Sequence, residues 1–114
     1  MMIRILFGIQ NEEKDAIWDE VEMYNLSETI NKILNINLEC NDSITYGDYF
    51  ADSPDKEIIY LHINELINDE ELLEQDFPEY AYLLYINEVE EYPEYVAAIE
   101  ARSDIFVKLR TTEV

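Results

Sequence analysis

Residues 2–9 alternate between two kinds of side chain, which is the pattern of a β-strand with one buried face. The apolar face is formed by the odd-numbered positions, Ile3, Ile5, Phe7 and Ile9. The opposite face carries Leu6, which indicates that this second face is also partly covered. We therefore predict that the chain begins with a strand.

Helical spacing replaces this alternation after the first strand. Asn11 is a suitable helix cap, because its side chain can accept a hydrogen bond from the first turn. The apolar residues that follow recur at i, i+4 and i+7 and predict a buried stripe: Ile17, Val21 and Tyr24, with Trp18 beside it. Ser27 is predicted to begin a second, short helix, anchored by three apolar residues: Ile30, Ile33 and Leu34.

Three strands are predicted in the middle of the chain. A strand at 36–40 is expected to turn at Asn41 and Asp42, and a second strand covers 44–50. Residues 51–56 have the composition of a loop with solvated acids. The third strand, 57–64, has two well-separated faces: Ile59, Leu61 and Ile63 on one, and Ile58, Tyr60 and His62 on the other.

The second half of the chain mixes helical and strand patterns. Residues 69–75 read as a short helix with acids in its first turn, and 93–102 as a helix that Pro93 opens. Residues 105–110 alternate as a strand. Residues 80–87 also alternate, and we prefer a strand there, although Pro78 could instead open a helix.

Together these elements predict an α+β fold in one compact domain, residues 1–114. An antiparallel or mixed sheet of four to six strands is expected, with three or four helices mainly on one face. The regular strand–helix alternation of a doubly wound fold is absent from the pattern.

The net charge is the most unusual property of the composition. Twenty-seven acidic residues against seven lysines and arginines give a formal charge of −20. A hydrophobic content of 48% excludes a disordered acidic tail, because such tails lack the apolar residues that a core needs. The charge also argues against direct binding to nucleic acids or to anionic membranes, since both would repel the protein.

Few residues are available for the common catalytic and metal-binding arrangements. His62 is the only histidine and Cys40 the only cysteine, so catalytic triads and zinc sites are not expected. We expect both residues to be structural, with Cys40 buried, and we predict no metal and no cofactor. The lone cysteine and the absence of a signal or membrane segment favour the cytoplasm.

One group of acids lies on the predicted first helix. Its members follow i, i+3, i+7 and i+10, which places them in a stripe along one helical face. A row of carboxylates several Å apart can imitate a line of phosphates to a protein that binds nucleic acids through lysines and arginines. The stripe consists of Glu12, Asp15, Asp19 and Glu22.

A second group of acids alternates with tyrosines. The sequence between Lys56 and Arg102 contains no basic residue, so its carboxylates have no local counter-charge. Tyrosines supply contact area at low entropic cost, and neighbouring acids steer a basic partner towards them. The predicted partner-binding residues here are Glu79, Tyr82, Tyr85, Glu88, Glu90, Glu91, Tyr92 and Glu94.

These features predict a stoichiometric inhibitor, not an enzyme, whose acidic surface occupies the cationic cleft of a nuclease or a similar enzyme. In being small, acidic, cysteine-poor and tyrosine-rich, the chain resembles two groups of proteins: immunity proteins or antitoxins, and phage or plasmid DNA mimics. The partner is expected to be a basic protein, and the inhibitor a monomer or weak dimer. Two alternatives stay open: a non-inhibitory regulatory module that binds another basic protein, and a small enzyme that uses carboxylates.

Overall fold

The computed structural model describes residues 3–10, 20–43, 47–52, 58–66 and 71–113, although not the side chains of 20–22, 42–43 and 47–48. These residues form two helices and one six-stranded antiparallel sheet. In chain order the elements are β1 Ile3–Ile9, α1 Glu20–Leu34, β2 Glu39–Ser43, β3 Gly47–Ala51, β4 Ile59–Ile63, β5 Tyr82–Ile86, α2 Pro93–Glu100 and β6 Phe106–Glu113.

The strands lie side by side in the order β2-β3-β4-β5-β1-β6, and every neighbouring pair is antiparallel. β1 therefore lies between two strands from the second half of the chain. Tyr85 of β5 is opposite Leu6 of β1 on one side and Tyr60 of β4 on the other. This register brings residues that are distant in sequence onto a common face.

Both helices pack on the first face of the sheet, where the main core lies. Ile30 of α1 and Ile99 of α2 are fully buried in the same apolar cluster as the strand residues. The predicted α+β class and antiparallel sheet are confirmed, but the described residues contain two helices instead of the three or four predicted. The strand residues of this cluster include Ile5, Phe7, Ile9, Phe50, Ile59, Leu61, Tyr82, Leu84, Ile86 and Phe106.

Helix α1 is a single helix, so the predicted helix start at Ser27 is wrong. Ser27 is buried within α1, and its hydroxyl donates a hydrogen bond to the Tyr24 carbonyl at 2.6 Å. The predicted stripe is also wrong at Tyr24, whose side chain is 56% exposed. The predicted cap Asn11, together with Ile17 and Trp18, lies outside the described residues. Among the side chains of α1 that the structure describes, those of four residues are buried: Met23, Ser27, Ile30 and Leu34.

The hairpin of β2 and β3 differs from the prediction in three respects, the first being that the strand predicted at 36–40 is β2 at Glu39–Ser43. Asn41 and Asp42 belong to β2, and Ser43 pairs with Gly47, so the connection covers residues 44–46, which are not described. Cys40 is exposed instead of buried. Asp52, at the end of this hairpin, is buried, and its carboxylate accepts hydrogen bonds from the backbone N–H groups of residues 58 and 59.

The segment 71–80 crosses the second face of the sheet and covers part of it. There it packs on a smaller apolar cluster built from Leu6, Leu83 and Tyr85, which confirms that the second face of β1 is covered. Tyr80 lies so close to Gly8 that a Cβ atom at residue 8 would be 2.6 Å from the ring carbon Cδ1. The absence of a side chain at Gly8 therefore allows this segment to approach the sheet.

Asn64, which is buried just after β4, attaches this segment to the sheet. Its amide nitrogen donates hydrogen bonds to the carbonyls of Phe77 at 3.0 Å and Tyr80 at 2.9 Å. Its side-chain oxygen accepts a hydrogen bond from the Glu74 N–H at 2.7 Å. The helix predicted at 69–75 is absent from the described part, 71–75, where the Glu74 N–H donates to the Asn64 side chain.

The remaining elements agree with the sequence pattern. Residues 82–86 form a strand, as preferred over a helix, and α2 begins at Pro93 with Val96 and Ile99 buried. The strands predicted at 57–64 and 105–110 are present as β4 and β6. No helix in the described part of the chain has the length and apolar character that crossing a membrane requires.

Candidate functional site

Four carboxylates lie in the connection between β5 and α2 and in the first turn of α2, a region that we call the acidic turn: Glu88, Glu90, Glu91 and Glu94. Its start is fixed to the sheet, because the Asn87 N–H donates to the Ile58 carbonyl and the Val89 N–H to the Ile3 carbonyl. Glu88, between these two anchors, takes a left-handed backbone conformation, with φ of 51°. The acidic turn is therefore attached to the centre of the fold.

The carboxylates of the acidic turn lack partners of opposite charge within the described part of the chain. Glu90, Glu91 and Glu94 are exposed and Glu88 is partly exposed. Three ion pairs form among the described residues, and their acids are Glu74, Glu100 and Asp104. Glu94 also lies in the first turn of α2, where the helix dipole favours a negative charge.

Two tyrosines lie beside these carboxylates. The rings of Tyr92 and Tyr95 are stacked, with centroids 5.3 Å apart and planes only 7° from parallel. Both rings are half-buried and pack against the main core, so part of each faces solvent. The acidic turn thus combines uncompensated charge with a fixed aromatic surface.

The other predicted binding residues are not brought together with the acidic turn. Tyr82 is only 1% exposed and lies in the main core, so its ring cannot contact a partner, contrary to the prediction. Tyr85 lies on the second face of the sheet. Glu79 is exposed on the segment 71–80.

The acidic stripe predicted on the first helix lies almost wholly outside the described residues. Glu12, Asp15 and Asp19 are not described, and Glu22 lies in α1 with an undescribed side chain. The stripe remains a prediction from the sequence.

The second face of the sheet contains a cleft of about 300 Å³, which the sequence pattern does not indicate. We call it the second-face cleft. It lies between the sheet and the segment 71–80, and its lining residues are Arg4, Tyr60, His62, Leu73, Glu74 and Tyr85.

Glu74 is held in the cleft by two donors. The Tyr85 hydroxyl donates a hydrogen bond to its Oε1 at 2.6 Å, and Nη2 of Arg110 contacts the same oxygen at 2.8 Å. Burial, and secondly the bond to Glu74, raise the pKa of Tyr85 well above its ordinary value. The Tyr85 phenol is therefore protonated and acts as a donor at neutral pH.

His62 forms part of an aromatic row along the second face. Its ring stacks on Tyr49 and Tyr60, at centroid distances of 5.0 and 6.0 Å, and meets the edge of Tyr85 at 5.7 Å. Burial and, to a smaller extent, the charge of Arg4 lower the pKa of His62 to about 4. The imidazole is consequently neutral at pH 7.

Arg4 brings a positive charge to this row. Its Nε donates a hydrogen bond to the side-chain oxygen of Asn87, and its guanidinium carbon lies 5.5 Å from the centroid of the Tyr85 ring. Alternation along β1 does place Arg4 on the second face. The pairing of β1 with β5 brings it to Tyr85, and periodicity within one strand does not specify that pairing.

Among the described residues, no group of three metal-ligating side chains is close enough together to hold a metal ion. Two surfaces of the described structure can bind a partner. The acidic turn can attract a cationic partner, and the second-face cleft can bind a ligand through a cation and aromatic rings. Comparison of the chain with protein-family models, with curated proteins and with solved structures found no match.

Proposed function

We propose that this protein is a stoichiometric inhibitor whose acidic surface occupies the cationic cleft of a nucleic-acid-acting enzyme, such as a nuclease. The observation that carries the proposal is the acidic turn, whose four carboxylates have no ion-pair partner among the described residues. They lie beside the stacked rings of Tyr92 and Tyr95 in a chain with a formal charge of −20. The two versions of this function are an immunity protein or antitoxin and a DNA mimic, both acting in the cytoplasm.

The charge supports this function because it is costly without a partner. Repulsion among like charges destabilises a compact fold, and a charge of about 2–8 is enough to keep a small domain in solution. A cationic cleft built to bind phosphates would remove this repulsion and accelerate association. Steering of this kind weakens with salt, since charges are screened over about 8 Å at physiological ionic strength.

The test begins with the protein immobilised at low ionic strength and used to capture proteins from a lysate of cells in which its gene occurs. A captured basic protein is then purified and tested for nuclease activity with increasing amounts of the inhibitor. We expect activity to fall to zero at a fixed molar ratio, and DNA or RNA to compete for the partner. Binding without loss of activity would instead identify a regulatory module.

Charge reversal locates the binding surface. Changing the four acids of the acidic turn to lysine should weaken partner binding at least about 100-fold, because like charges would then face each other across the interface. A control variant with the same net charge reverses four exposed acids elsewhere and should bind nearly as well as the original. The control substitutions are Glu28→Lys, Glu39→Lys, Glu65→Lys and Glu113→Lys.

A third variant reverses the acidic stripe of the first helix. If this variant loses binding and the acidic-turn variant does not, the proposed location is wrong. If the control loses as much affinity as the acidic-turn variant, net charge alone accounts for binding and the acidic turn has no special role. Circular dichroism of each variant verifies that the fold is retained.

A further inference from the structure

Arg4 forms no ion pair with a carboxylate in the described part of this acidic chain. The three ion pairs there use Arg102, Lys108 and Arg110. The hydrogen bond of Arg4 to another described residue is made by Nε, and its acceptor is the neutral amide oxygen of Asn87. Within the described residues, its terminal amino groups therefore remain available to another acceptor.

The guanidinium of Arg4 is also held in position. The bond to Asn87 fixes one edge of the group, and the ring of Tyr85 lies 5.5 Å from its central carbon. A planar guanidinium that is fixed in this way loses little entropy when it binds an anion, and its fork geometry matches a carboxylate or a phosphate. Arg4 thus supplies a preorganised anion-binding group at the wall of the second-face cleft.

The other walls of the cleft suit a flat apolar group. Tyr60 and His62 belong to the aromatic row, and Leu73 adds an aliphatic side chain from the segment 71–80. Glu74 is the acid of the cleft, and its oxygen Oε1 already accepts contacts from Tyr85 and Arg110. The negative charge of Glu74 is therefore partly neutralised within the structure.

We propose that the second-face cleft binds a small ligand made of a planar ring with one anionic group. The anionic group pairs with the terminal amino groups of Arg4, and the ring packs against Tyr60 and His62. A volume of about 300 Å³ lies at the lower end of small-molecule pockets, which fits a ligand of one or two rings. This site goes beyond the proposed inhibitor function, because no carboxylate of the acidic turn lines the cleft and its ligand is a small molecule instead of a protein.

The experiment uses benzoate as the probe, with two matched compounds of the same shape. Benzamide lacks the charge, and benzylammonium carries the opposite one. Each is titrated into the full ¹⁵N-labelled chain at pH 7 and 150 mM NaCl, and the amide signals are followed by heteronuclear NMR. We expect benzoate to shift the amides of Arg4, His62 and Tyr85 saturably, with a Kd on the order of 1 mM for so small a probe.

The comparison among the three probes decides the proposal in the unmodified protein. Benzamide should bind at least about ten-fold more weakly than benzoate, which is the effect of a charge-assisted hydrogen bond worth roughly 1.4 kcal/mol. Benzylammonium should not shift the cleft amides. Equal binding of benzamide, stronger binding of benzylammonium, or benzoate shifts confined to other surfaces would each overturn the proposal.

Two substitutions test the role of Arg4. Arg4→Met should lower benzoate affinity about ten-fold or more. Arg102→Met, at an exposed arginine that pairs with Asp104, is the control and should leave affinity unchanged. Equal loss in both variants would contradict the proposal. The charge-reversed acidic turn should retain benzoate binding, so failure of the cleft proposal and failure of the inhibitor proposal are distinguishable.

Discussion

Replacing Asn64 with alanine should release the segment 71–80 from the second face of the sheet. Asn64 is 4% exposed, and its side chain is bonded to the backbone of this segment at Glu74 and at Tyr80. Alanine fills less of the site and can make none of these bonds. The substitution therefore tests whether one buried amide holds the covering segment in place.

The expected cost follows from the hydrogen bonds that are lost. Three have good geometry, with lengths of 2.7, 2.9 and 3.0 Å, whereas a fourth, to the Glu74 carbonyl, is 3.4 Å long and contributes little. At about 1 kcal/mol for each good bond, the free energy of unfolding should fall by about 3 kcal/mol. This is a large share of the stability of a small domain, which is typically about 5–15 kcal/mol.

Urea denaturation followed by circular dichroism measures this change, and hydrogen exchange locates it. The amides of Glu74, Phe77 and Tyr80 should exchange faster in Asn64→Ala, while those in the centre of α2 should change only with global stability. Asn37→Ala is a matched control, because Asn37 is exposed, and it should alter stability by less than about 0.5 kcal/mol.

A loss in Asn64→Ala no larger than in the control would refute this reasoning. It would show that the apolar contacts of Phe77 and Leu73 hold the segment without the amide. Unchanged exchange at Glu74 would lead to the same conclusion, because its N–H is the donor to Asn64.

Two further predictions concern the same face of the sheet. Gly8→Ala should lower the free energy of unfolding, measured by urea denaturation, by about 1–3 kcal/mol, because the added Cβ would clash with the Tyr80 ring. This loss should nearly vanish in a Tyr80→Ala background, and an equal loss in both backgrounds would exclude the clash. His62 has a pKa of about 4 in the folded protein against an ordinary 6.5, so the unfolded chain binds the proton first and stability is lost as pH falls from 6.5 towards 4. Relative to the His62→Gln variant, the original protein should lose up to roughly 3 kcal/mol of unfolding free energy over this pH range. If the unfolding free energies of the two proteins change in parallel with pH, the lowered pKa of His62 and the burial that causes it are wrong.

Periodicity predicted the elements whose apolar residues recur at the spacing of a strand or a helix. The strands around Phe7 and Leu61 alternate cleanly, and Val96 and Ile99 mark the buried side of α2. In α1 the pattern was misleading, because Ser27 occupies a buried position and satisfies its hydroxyl within the helix. Ser27, a polar residue on the buried side of α1, was therefore wrongly predicted to begin a helix.

The remaining differences between the predicted and the observed structure result from tertiary contacts. The segment after residue 70 has a helical composition, but Asn64 takes hydrogen bonds that a helix would need. The second-face cleft depends on strand order: Arg4 and Asn87 are distant in sequence and meet because β1 pairs with β5. The acids of the acidic turn, in contrast, were recognisable from the sequence, since charge patterning requires no knowledge of the sheet order.

The central position of β1 also affects how the chain folds during synthesis. β1 is synthesised before the other five strands of the sheet, and its two neighbours, β5 and β6, come after β2, β3 and β4 in the chain. Until they emerge from the ribosome, an apolar strand with unpaired edges is exposed to other chains and to chaperones. Completion of the sheet therefore follows translation of β6, and the many contacts between distant residues favour slow folding.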